Sequence, residues 1–291
     1  MIMKKWNKAE YQEFQNRLFE EAEEGYRDFV LTGIITERPL LGVRVPKCRA
    51  IAKEILLGKL ETYDSTKGKA GFPEKETLSL SKEEQISNAL NFLKNTPVAF
   101  EEVAIRGYLI ASLPYKQMVE EMYKFIPLID NWEICDTFCA AMKKNISKNK
   151  SSFLEEIDKM LKSLDEFQTR VALVCLLDHY IEPEYLQVIY DRINDIAAVL
   201  SDGPGELSVE RIKGETGGKR VREVMAWDAY YVKMAVAWLI SVLFAKFPEE
   251  TMFFFSHLSM PKWTYNKAIL KTCESYRVDK DLKAELKKLK R

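Results

Sequence analysis

Apolar residues return at every third or fourth position along most of the chain, in stretches of about 12 to 18 residues separated by Pro, Asn or short charged turns. A strict alternation of apolar and polar positions is not met before residue 207. The pattern predicts an all-α chain. The spacing places helices over Lys8 to Leu31, Pro46 to Leu57, Lys82 to Lys94, Phe100 to Ser112, Pro114 to Ile129, Trp132 to Asn145, Ser151 to Ser163, Glu166 to Tyr180 and Glu184 to Ile196, then Tyr230 to Phe247, Pro248 to Leu258, Trp263 to Ser275 and Lys280 to Lys290. Pairs of these recur with a period of roughly 35 to 45 residues. Helix pairs at that period cannot bury their apolar faces singly, so antiparallel pairs stacked into a curved solenoid, or superhelix, are expected. No literal internal repeat accompanies the period, and a generic helical bundle fits the same pattern.

One stretch breaks the rhythm. Between Ala197 and Ala226 the chain reads Ser201-Asp202-Gly203-Pro204-Gly205, Leu207 to Ile212, Gly214-Glu215-Thr216-Gly217-Gly218 and Lys219 to Met225. Two short runs around a Gly-rich turn suit a small β-hairpin near 201–225, and the same composition suits a loop. No GxxxxGK[ST] phosphate loop is present. Its Arg211, Lys213, Lys219, Arg220 and Arg222 are matched by five acids, and the basic residues could serve a phosphate-facing flap or a plain charged loop.

Composition narrows the class. With 291 residues, 47 % hydrophobic and 30 % charged, a single domain over 1–291 with an insertion at 197–226 can bury its own core. Cys48, Cys135, Cys139, Cys175 and Cys273 form no CxxC pair, which argues against a disulfide framework or zinc ribbon and for a reducing cytoplasm. His179 and His257 lie among apolar residues, so no metal site is expected. Met1 to Glu24 carries no signal-peptide run, and Met234 to Ala245 is too short to cross a bilayer. Lys and Arg balance Asp and Glu at 44 each, weak advertisement for a nucleic-acid binder, but the distribution is uneven. From Lys262 onward the chain carries +6 and the remainder −6, and Lys143, Lys144, Lys148 and Lys150 form a second basic run. Solvated helix surface and a phosphate-facing stripe both give such runs.

The most informative chemistry is Asn131-Trp132-Glu133-Ile134-Cys135-Asp136. On a helix the spacing of four puts the Trp132 indole and the Asp136 carboxylate on one face, which suits a cationic guest. A core tryptophan beside a solvated aspartate has the same spacing.

Several segments resemble the AlkD-like DNA alkylation repair family, glycosylases built from HEAT-like helical repeats. Leu41-Gly42-Val43-Arg44-Val45-Pro46 running into Lys47 to Glu54 resembles its early signature, and Trp132 through Asp136 its Trp-x-x-x-Asp motif. Gln168 to Ala172 resembles the helix start bearing its arginine, Lys233 to Trp238 the one bearing its second tryptophan, and Tyr265 to Arg277 a segment of one branch. The resemblance implies hydrolysis of the N-glycosidic bond of cationic N3- or N7-alkylpurines in duplex DNA, by a monomer without metal or organic cofactor. Asp136 would stabilise the sugar cation and position the attacking water, Trp132 and Trp238 would line the cleft, and Arg170 would hold a phosphate. Lys143, Lys144, Lys267, Lys271, Lys219 and Arg220 would contact DNA. Glycosylases of the family carry an additional early helix that enters the minor groove. Here Thr32-Gly33, the β-branched run Ile34 to Thr36 and Pro39 make Tyr26 to Leu41 read as a helix end and an extended connector rather than a second helix. Two other readings therefore stand beside excision: a non-excising relative that binds branched or distorted DNA, and a HEAT-type scaffold that binds protein.

Overall fold

A computed structural model describes residues 8–58, 80–203 and 229–291, in two compact units, Met1–Met142 and Lys143–Arg291. Among the described residues every regular element is a helix. The all-α expectation holds, and within each unit the helices pack in pairs.

Unit 1 contains α1 (Lys8–Glu20), α2 (Glu24–Leu31), α3 (Val45–Leu56), α4 (Lys82–Phe92), α5 (Phe100–Ala111), α6 (Tyr115–Phe125) and α7 (Trp132–Ala141). Helix α5 lies at its centre, packed against α3, α6 and α7, and almost every side chain on it is buried. Gly107 admits this closeness: a Cβ there would meet the rings of Phe125 and Phe138 at 3.3 Å. Helix α1 closes over α4 through an edge-on contact between Phe14 and Phe92 at 5.0 Å. Tyr11 and Gln15 of α1 donate to the Glu102 carboxylate, at 2.5 and 3.1 Å.

Unit 2 contains α8 (Lys143–Ile146), α9 (Lys150–Lys162), α10 (Glu166–His179), α11 (Leu186–Ala197), α12 (Tyr230–Lys246), α13 (Pro248–His257), α14 (Lys262–Glu274) and α15 (Lys280–Lys288). Its centre is α12, the helix drawn from the longest apolar run, packed against α10, α13 and α14. Alternate helices thus lie side by side within each unit, α3–α5–α7 and α10–α12–α14, with their partners against them.

The expected helix over Lys8 to Leu31 is two helices. Glu23 is extended, at φ −126°, and its N–H donates to the Gly42 carbonyl at 3.1 Å, so the break is a docking point for the 40–44 connector. Gly42 sits at φ +95°, where a Cβ would stand 2.4 Å from the Glu23 carbonyl, so only glycine fits both the dihedral and the approach. A separate second helix therefore precedes Leu41, against the sequence expectation; the extended connector after it is as expected. The helix over Trp132 to Asn145 also divides, at Met142. The insertion at 197–226 falls outside the described residues beyond Gly203, and Lys219 and Arg220 with it.

Candidate functional site

The start of α7 is built by its cap and by the 33–38 connector. The Asn131 side chain accepts from the N–H groups of Glu133 and Ile134, at 3.0 and 3.1 Å, fixing where the helix begins. Asp130 accepts from the Thr36 hydroxyl at 2.7 Å and from the Asn131 amide at 2.6 Å, while Arg38 donates to the Leu128 carbonyl at 3.2 Å. These bonds hold the turn before α7 against the connector. Trp132 then points its indole N–H at the Gly33 carbonyl, 2.8 Å away, and leaves 40 % of its surface open. Its ring is not core. Asp136 follows one helical turn later and is partly exposed, next to buried Cys135 and Cys139. Phe29, Leu31 and Ile35, on the chain flanking Gly33, are exposed as well.

A buried carboxylate fixes the connector. Glu101 of α5, 1 % exposed, accepts from the backbone N–H groups of Leu41, Gly42 and Val43 at 3.1, 2.7 and 3.1 Å. Three convergent N–H donors supply what water would otherwise supply to the charge, each worth roughly 1.5–3 kcal/mol when the acceptor is ionised. Sequence reasoning missed this anchor; the signal was the pair of acids, Glu101 and Glu102, opening the largely apolar helix FEEVAIRGYLIA. Glu133 lies on the same side of unit 1, in a water-sized cavity of about 10 Å³ with Tyr26, Tyr108 and Thr137. Burial, then the Glu101 charge, raises its pKa above the ordinary glutamate value. The Cys48 thiol, buried beside Glu101, is pushed far up and is no nucleophile.

In unit 2 the expected arginine has an interior position. Asp165 caps α10 by accepting from the Gln168 N–H at 2.8 Å, and Arg170 follows in the next turn, 4 % exposed. Its guanidinium donates to the Tyr231 carbonyl at 2.9 Å and lies over the Tyr231 ring, 5.6 Å from its centroid. Glu166 accepts from the Tyr231 N–H at 2.8 Å, and Phe167 packs on the same ring at 5.2 Å. The first two turns of α10 therefore clasp the first turn of α12 through both backbone polar groups of Tyr231. Trp238 is two turns further along α12, partly exposed between buried Ala237 and Leu239. Lys233 of the same helix is fully buried, donating to Ser201 and to the Gly203 carbonyl at 2.9 and 3.0 Å.

The expected DNA-contacting lysines fall in two groups. Lys143 and Lys144 are exposed on α8, and Lys267 and Lys271 are partly exposed on α14, where Lys271 approaches Glu274 at 3.6 Å. Among the described residues no three His, Cys, Asp or Glu side chains gather as a metal site would require, and no helix is long and apolar enough to cross a membrane.

The model of one protein family, the DNA alkylation repair enzymes, matches residues 73–200. No curated protein and no solved structure matches the chain. The matched segment includes Trp132, Asp136 and Arg170 and stops before Trp238 and α14. Over residues 73–200 the chain is similar to the DNA alkylation repair enzymes, the family its AlkD-like motifs resemble.

Proposed function

We propose that this protein is a DNA glycosylase that hydrolyses the N-glycosidic bond of cationic N3- or N7-alkylpurines in duplex DNA. The observation that carries the reading is the open face of α7: a half-exposed indole and a partly exposed carboxylate, one turn apart, on a helix start held rigidly by Asn131 and Asp130 and lying inside the family match. Alkylation at N3 or N7 makes the base a cation and a good leaving group. As the bond from C1′ to the base breaks, its electron pair goes to the purine, which departs neutral, and positive charge develops on the deoxyribose. The Asp136 carboxylate stabilises that charge and orients the water whose oxygen bonds to C1′, and the water's proton passes to Asp136 or to solvent. The Trp132 face contacts the cationic nucleotide, the tethered N–H fixing the ring angle. Trp238, partly exposed on α12, is the second tryptophan that the motif resemblance implies for contact with the nucleotide. Arg170, given its burial, positions the α12 start that leads to Trp238 rather than gripping a phosphate from the surface. Lys143, Lys144, Lys267 and Lys271 supply phosphate contacts, as Lys219 and Arg220 of the insertion do. The protein works as a cytoplasmic monomer without a metal or organic cofactor.

The non-excising alternative rested on net neutrality and on a missing early helix. Neutrality stands, but α2 is a separate helix ahead of the Leu41 to Pro46 signature, with Phe29 and Leu31 exposed on it. A protein scaffold is favoured by that neutrality and by those exposed apolar side chains. The test is release of 7-methylguanine and 3-methyladenine from methylated duplex at low salt. Release well above the uncatalysed rate is expected; none above it would leave the binding or scaffold readings.

A further inference from the structure

Beside α14 in unit 2 lies an open groove of about 480 Å³, a volume in the range that holds small organic ligands. Three lysines from separated parts of the chain border it: Lys262 and Lys267 on α14, and Lys290 beyond α15. Among the described residues none of the three is ion-paired. Lys290 is brought there by an anchor at its neighbour. The Asn266 side chain bonds both the carbonyl and the N–H of Arg291, at 2.8 and 3.0 Å. The Arg291 guanidinium donates to the carbonyls of Met260 and Leu258, at 3.2 and 3.0 Å, and lies 3.8 Å from the centroid of the Tyr265 ring.

The groove has one acid, Asp202, whose Oδ1 accepts from the N–H groups of Trp263 and Gly203 at 2.8 and 2.9 Å. Those bonds lower its pKa, so it stays ionised and engaged with backbone, and three lysines against one aspartate leave the groove at +2. Trp263 and Leu270 supply its apolar wall, and Gly203 and Asn266 complete the lining. Trp263 is half-buried, its ring braced by Tyr230 at 6.2 Å with the Lys267 ammonium 5.7 Å from its centroid, and Leu270 is 42 % exposed. Residues 263, 267 and 270 share one helical face, which alternates aromatic, cation and aliphatic. Hydrated point charges on flexible stems suit a phosphate, and an indole with an aliphatic neighbour suits a planar base, whose stacking on an aromatic ring is worth about 1–3 kcal/mol.

We propose that this groove binds a nucleotide unit, with its phosphate among Lys262, Lys267 and Lys290 and its base against Trp263 and Leu270. The site lies outside the family-matched segment and does not depend on excision at Asp136. The same chemistry is presented by a free nucleotide and by an unpaired stretch of a strand, and the probes separate the two. The full chain is titrated at low salt with dTMP, with a ten-residue oligothymidylate and with a duplex of the same sequence, following tryptophan fluorescence and, for the labelled strands, anisotropy. Wild type is compared with Lys262→Gln/Lys290→Gln, with Trp263→Leu, and with Lys280→Gln as an exposed-lysine control.

The expected result is binding of the single strand, weakened about tenfold by the double substitution with a salt slope smaller by roughly 1.5, the single-strand value for two lost phosphate contacts. Trp263→Leu should weaken the strand at an unchanged salt slope, and Lys280→Gln should leave it alone. Binding of dTMP with the same sensitivities assigns a free nucleotide; strand binding without dTMP binding assigns an unpaired strand. No binding of either, or affinity for both indifferent to the groove substitutions, would overturn the proposal. The lysine changes are on the surface, and a thermal melt verifies that each variant is folded.

Discussion

The starts of α7 and α10 carry comparable sequence signals, a capping side chain followed by a residue matched to a repair motif, yet the two residues are placed in opposite ways. Trp132 opens 40 % of its surface to solvent, whereas Arg170 has 4 % exposed and bonds a backbone carbonyl. The neighbours decide the outcome. Around Trp132 the helix has one buried face and a connector that takes the indole N–H, so the ring lies along the surface. From Thr169 to Leu176 every side chain of α10 is buried, and a guanidinium there must find its partners inside the protein. A motif match names a residue; the surrounding burial sets what that residue can touch.

Removal of the arginine should have the largest effect. Arg170→Ala should destabilise unit 2 by about 2–4 kcal/mol in denaturant melts, because the Tyr231 carbonyl loses its donor and a cavity opens. An arginine serving only as a surface phosphate ligand would leave stability intact and lower the salt slope of DNA binding by about one.

The connector that carries Gly33 gives the next largest effect. Gly42→Ala forces a Cβ onto the Glu23 carbonyl at a positive φ and should cost about 1–3 kcal/mol, with Trp132 fluorescence changing as the connector shifts. Loss of stability with an unchanged indole environment would show that the connector does not position Trp132. Trp132→Phe keeps an aromatic face and removes only the bond to Gly33, so the stability loss should stay under about 1 kcal/mol while base release slows. A large destabilisation would return Trp132 to the core.

The smallest effect concerns Glu133. Its pKa is raised in the folded protein, so the charged form is disfavoured there: its contribution is undiminished below the ordinary glutamate range, about pH 4, and is lost as pH rises through the raised value. Glu133→Gln should therefore raise Tm slightly at pH 7 and leave it unchanged at pH 4. A Tm that falls at pH 7 would mean that the carboxylate has a favourable partner.

The helical periods and the Trp132–Asp136 face were legible in the sequence because both depend on spacing of three and four residues. What was not legible depends on residues distant in sequence. The break at Glu23 is set by Gly42, the burial of Arg170 by Tyr231, and the groove at α14 by Asn266 holding Arg291 so that Lys290 lies near Lys262. Glu101 was hidden for the same reason: its partners are amides some sixty positions earlier, and amides leave no mark on composition.

In the proposed reaction the Asp136 carboxylate, open on α7, performs the chemistry. The most direct measurement is single-turnover release of 7-methylguanine from methylated duplex by wild type and Asp136→Asn, with duplex affinity measured in parallel. Loss of one charge-stabilising group predicts a release rate lower by about 10²-fold or more at similar affinity. Equal rates for the two proteins, or release by neither, would contradict it.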